Sequence, residues 1–136
     1  MASAPLASRR TDIGLLVLRF AVAGIILFHG IYKITRGVEW IRSPLAQLGL
    51  PGMLAYGVYA AEVVAPLLLI AGFFSRIAGL IVAFDMLMAI VLVLRGRVMM
   101  INPQGGGWGI ELEALLLLSA VAVALMGSGR WAVRPD

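Results

Sequence analysis

Apolar residues fall in four long runs separated by shorter polar joints. The runs cover about residues 13–33, 52–74, 77–94 and 109–127. Each reaches or approaches the ~17–25 residues that a membrane-crossing helix needs. Lipid offers backbone N–H and C=O groups no water to bond, so helices are the economical structure for such runs. The pattern predicts an all-α, integral membrane four-helix bundle, one domain over residues 1–136.

The joints differ in kind. Between the first two runs, RGVEWIRSPLAQLGLPG spaces Trp40, Ile41, Leu45 and Leu48 at near-helical intervals. This predicts a short interfacial helix anchored by Trp40. Ser75-Arg76 is a tight joint, so the second and third helices form an antiparallel hairpin. The joint RGRVMMINPQGGGW carries Asn102-Pro103 and Gly105–Gly107, which mark a turn, and Trp108 marks the next interface. Gly79-xxx-Ala83 and Ala120-xxx-Ala124 have the small-residue spacing that lets membrane helices pack closely.

MASAPLASRRTDIG reads as a short cytoplasmic tail before an uncleaved first helix. An even helix number puts both ends on one side. Five basic residues fall on each side, and Arg9 and Arg10, next to the dominant first helix, tip the ends inside.

Composition agrees with a chain that is mostly membrane. It is 62% apolar and only 13% charged, with a mean hydropathy of +1.01. Soluble domains carry about 25% charged residues. The pI near 10.4 comes from scattered arginines rather than a basic stripe, which argues against nucleic acid as a partner. There are no cysteines and one histidine. Thiolate metal sites and iron–sulfur ligation by this chain are excluded, and haem on His29 with a methionine is disfavoured. No intrinsic cofactor or metal site is expected.

Charges inside the apolar runs are the candidate chemistry. Arg19, Glu62 and Asp85 are placed near mid-membrane on three helices. A charge there is costly and asks for a partner. Counted from the loop end, Arg19 and Glu62 differ in depth by roughly 6 Å, within an arginine's reach. The expectation is an Arg19–Glu62 pair with Asp85 beside it as a neutral acid. That group either binds a proton or locks the bundle. Pro66 lacks the amide that would bond the Glu62 carbonyl, so polarity or a kink is expected there. Tyr59 lies on the same face as Glu62. A second cluster is expected at the loop end, with His29 and Lys33 on one face near Trp108 and Glu111. One of Glu111 and Glu113 should face the bundle and the other the loops. Histidine beside carboxylates and a lysine could bind a polar head group, such as that of a quinone, or handle a proton.

Arg19, Phe28-His29-Gly30-xx-Lys33, Leu48-Gly49-Leu50-Pro51, and Glu62 with Gly72-Phe73-Phe74-Ser75-Arg76 occur in order along the chain. Gly105–Glu111 and Gly127-Ser128-Gly129-Arg130-Trp131 follow. In this order and spacing the chain resembles the DoxX family of small four-helix membrane proteins. Asp85 lies outside that pattern. The resemblance implies a bacterial inner-membrane protein of redox or oxidative-stress metabolism, since the family takes its name from a subunit of a thiosulfate:quinone oxidoreductase. Three functions follow as expectations. The first is a membrane subunit of a quinone-linked oxidoreductase, drawing electrons from a soluble or membrane partner. The second is a non-catalytic anchor or assembly subunit. The third is a small proton-coupled transporter, for which four short helices leave little room unless the chain forms a homo-oligomer.

Overall fold

The computed structural model describes residues 6–37 and 39–136, so residues 1–5 of the expected tail and Val38 lie outside it. Among the described residues the chain is helical, without strands. Helix α1 runs Leu6–Arg36 and α2 Glu39–Gln47. Helix α3 covers Gly52–Ala71 and changes character along its length. A 3₁₀ segment, Gly52–Tyr56, and one α-turn lead into a π-helical stretch, Ala60–Val64, and then an α-helix, Ala65–Ala71. Helices α4, Ser75–Leu92, and α5, Glu111–Met126, complete the bundle.

The four long helices run up and down as a closed ring, each packed on the next and α5 returning to α1. Their shared core is aliphatic and small. Val22, Ala23 and Ile26 of α1 meet Ala65 and Leu69 of α3, Val82 and Met86 of α4, and Leu116, Ala120 and Val123 of α5. The small-residue spacing is used as expected. Gly79 lies against α5, and a Cβ there would stand 2.9 Å from the Ala120 carbonyl oxygen. Phe28, Leu67, Phe84 and Leu118 point outward and are exposed, as a bundle surrounded by lipid requires.

Two expectations need adjusting. First, α1 begins at Leu6, not near residue 13, so the described part of the expected tail is helix. Second, among the described residues only α1, α3 and α4 are long and apolar enough to cross a membrane by length and composition. Helix α5 has 16 residues, about 24 Å at 1.5 Å per residue.

The joints position the site. At the α3–α4 hairpin Gly72 takes a left-handed φ of 72°, and Gly72 N and Phe73 N both donate to Leu68 O at 2.9 Å. This is a common helix-ending motif. The expected short helix between the first two long helices is α2, and it packs on the bundle. It buries Ile41 and Leu45 against Ala55, Val58, Tyr59 and Leu92 and so roofs the loop end of the bundle.

Candidate functional site

The antiparallel register of α1 on α3 decides where the charges go. Gly30 lies against the Glu62 backbone, so closely that a Cβ would collide with the Glu62 carbonyl. Arg19, eleven residues earlier, therefore sits far from Glu62, roughly 16 Å along the bundle. The expected Arg19–Glu62 pair is not formed. The offset arises because α1 continues past Lys33 to Arg36 while α3 begins with a 3₁₀ segment, so the two loop ends are not level.

Arg19 instead binds backbone. It is 1% exposed, and all its partners are carbonyl oxygens. Nε donates to Leu69 O at 2.8 Å, one terminal nitrogen to Ser128 O at 2.7 Å and Trp131 O at 2.9 Å, and the other to Ile70 O at 3.1 Å. The last carbonyls of a helix have no partner within it. Here Leu69 and Ile70 bond Arg19, while Ala71 and Gly72 accept from Val133 N and Arg134 N at 2.9 and 3.1 Å. A cation beside a helix C-terminus also meets the negative end of its dipole. Arg19 thus ties the end of α3 to the segment after α5, and among the described residues no carboxylate bonds it.

Lys33 is the cation that reaches Glu62. Its Nζ lies 2.5 Å from Glu62 Oε1, with Glu62 1% exposed. Helical side chains lean toward the N-terminus, which carries the Lys33 ammonium back to the level of Gly30 and Glu62. Trp40 of α2 covers the ammonium, 5.2 Å from the ring centre. Tyr59 joins by donating to the Lys33 carbonyl at 3.3 Å rather than to a carboxylate.

Glu62 sits within the π-helical stretch, four residues before Pro66. Widened turns of this kind often mark functional positions. Asp85 of α4 faces it, within hydrogen-bonding reach of its carboxyl. Glu62 and Asp85 each lie ten residues from the hairpin turn (Gly72 and Ser75), about 15 Å and near the middle of the bundle. Glu62 Oε2 and Asp85 Oδ2 are buried without a hydrogen-bond donor.

A cavity of about 150 Å³ opens on this group. His29, Lys33, Trp40 and Glu62 line it with Met86, Leu116 and Glu113. His29 also lines a broad groove on the outer face of α1 with Phe28, Ile31 and Tyr32. The expected loop-end cluster is divided. His29 and Lys33 face the bundle chamber, while Trp108 and Glu111 line a separate cavity of about 370 Å³ with Arg97 and Asn102. Leu112 and Glu113 border both. Glu113 is the acid that faces the chamber, and the Glu111 carboxylate packs against Gly107 of the loop. Trp108 is held there by its indole N–H, which donates to Val98 O at 2.5 Å.

These features define a small helical membrane protein with a lysine–carboxylate group at mid-bundle. The chain belongs to the DoxX family: the family model described as DoxX matches residues 14–95. A Bacillus subtilis (strain 168) protein named "Putative oxidoreductase CatD" is 34% identical over 125 residues, covering 91% of this chain and 87% of the relative. No solved structure matches.

Proposed function

We propose that this chain is a membrane subunit of a quinone-linked oxidoreductase in the bacterial plasma membrane. The observation that carries the reading is that His29, an exposed residue, lines both a partly open chamber in the bundle and an outer apolar groove. A void of about 150 Å³ suits a single ring, since an engineered hole of that size takes benzene. A quinone ring fits the chamber, and its apolar tail follows the groove along Phe28 and Ile31. His29 and Lys33 are the donors within reach of a ring carbonyl.

The carboxyl pair supports the same reading. Glu62 and Asp85 share one cation, Lys33, so a single proton between them balances the charge. The same proton gives both unpartnered oxygens a bond. A quinone gains two protons for every two electrons, and this pair is placed to hold one of them. The electrons come from a partner, consistent with a chain that has no cysteine and one histidine. The relative's printed name as an oxidoreductase agrees.

The test is retention of quinone by protein extracted in mild detergent. The native chain is expected to hold quinone above background, and His29→Ala and Glu62→Gln to lower the amount per folded molecule severalfold. Background quinone in the native chain would overturn the reading. It would favour an anchoring subunit, for which the Arg19 tie supplies the rigidity.

A further inference from the structure

A second, more apolar chamber lies on the other side of Asp85. It has a volume of about 370 Å³ and sits beneath α2, between α3 and α4. Ile41, Leu45, Val58, Ala61 and Met88 form its walls. Asp85 is the one polar side chain among its lining residues. Leu54, Ile81 and Phe84 form a rim that is exposed on the outer face of the bundle. Asp85 also lines a gap of about 50 Å³ with Lys33 and Glu62, so it stands in the wall between the carboxyl pair and this chamber.

The state of Asp85 determines what the chamber can hold. Its Oδ2 and Glu62 Oε2 are buried and lack a donor, and Glu62 is 1% exposed. Lys33 is committed to Glu62 Oε1. One proton held between the two carboxyls satisfies their facing oxygens and leaves the group neutral with Lys33. The remaining oxygen of Asp85 is then an acceptor set in an apolar wall. That oxygen, Oδ1, is not fully buried and so is open to a ligand. An acceptor without a donor in apolar surroundings costs free energy, and a ligand that donates a hydrogen bond removes the cost. Because the group is already charge-balanced, a neutral donor suits it better than a cation. A carbonyl offers it nothing.

We propose that this chamber binds a lipid-soluble molecule with a hydroxyl head, its apolar body among Val58, Ala61 and Met88 and its O–H donated to Asp85. The volume lies within the range of small-molecule sites, about 300–1,000 Å³, and accommodates a ring with a short chain. A longer chain leaves between Leu54 and Phe84. This site is separate from the His29 chamber, and it stands or falls independently of the quinone reading.

The test compares 4-decylphenol with 4-decylanisole, which has the same body but no O–H. Binding of each to the full chain in detergent is measured by native mass spectrometry. The phenol is expected to bind roughly tenfold more tightly, the worth of one hydrogen bond to a charged or charge-sharing acceptor. Asp85→Leu should erase that preference, and Ala61→Leu, which fills the chamber, should weaken both probes. His29→Ala should change neither. Equal binding of the two probes by the native chain overturns the proposal without recourse to any variant. So does tighter binding of decylamine than of the phenol, phenol binding that survives Ala61→Leu, or phenol binding lost in His29→Ala.

Discussion

At the scale of single residues, the pair Lys33–Glu62 and the glycine beneath it make the sharpest claims. Lys33→Met leaves a buried carboxylate without its cation, which costs about 3–5 kcal/mol when a buried pair is broken from one side. Replacing both partners removes the stranded charge. Thermal unfolding in detergent should therefore show a large loss for Lys33→Met and a much smaller one for Lys33→Met/Glu62→Met. A double variant as unstable as the sum of the singles would mean the two are not coupled. Gly30 is a second case. A Cβ there collides with the Glu62 carbonyl, whereas a Cβ on Gly24 meets nothing within 4 Å. Gly30→Ala should cost about 1–3 kcal/mol, the usual penalty of overpacking, and Gly24→Ala should be neutral or slightly stabilising. That contrast also shows what the chain made legible. Glu62 and Pro66 mark a special point in any reading of α3, and the structure finds a π-helical stretch there. Which cation meets Glu62 was not legible, because it depends on the register between α1 and α3. Lys33 looked like a loop-end residue since the apolar run stops at it, yet its helix continues to Arg36. Asp85 could be read as a partner of Glu62 because the tight Ser75-Arg76 joint sets both at equal distance from one turn.

At the scale of elements, helix ends account for the polar groups that sequence could not assign. Arginine can bond several carbonyls at once with a planar fork of five donors, whereas lysine has three donors on a point charge. Arg19 uses four such bonds across two segments of chain. Arg19→Lys should lose two or more of them and lower stability by about 1–3 kcal/mol. The segment after α5 should become more open to protease, and quinone retained per folded molecule should be unchanged. A loss of quinone equal to that of Glu62→Gln would show that Arg19 acts at the site after all. Backbone carbonyls leave no mark in a sequence, so a search among carboxylates for the partner of Arg19 had to fail. The elements themselves were far more legible. Four apolar runs gave four helices, the hairpin fell at the Ser75-Arg76 joint, and the amphipathic piece formed α2. Its role as a roof over Lys33 came from packing, since Trp40 looked like an interfacial anchor.

At the scale of the whole molecule, α5 decides the topology. Its 16 residues are few for a hydrocarbon core of about 30 Å. If it stopped short, the segment beyond it would lie on the far side from the N-terminal part of α1. The bonds from Arg19 to Ser128 and Trp131, and from Arg130 N to Asp12 at 3.1 Å, require it to return to the near side. Local thinning of the bilayer around a short helix costs little per ångström, so this return is affordable. The absence of cysteine makes the point easy to test, because single cysteines can be introduced without background. Arg9→Cys, Arg76→Cys and Pro135→Cys should react with a membrane-impermeant maleimide from one face, and Gln104→Cys from the other. Reaction of Pro135→Cys from the same face as Gln104→Cys would remove the fourth crossing. It would also separate Arg19 from two of the carbonyls that hold it. Which face carries the first group is the question that five basic residues on each side left tied, and the same labelling in intact cells answers it.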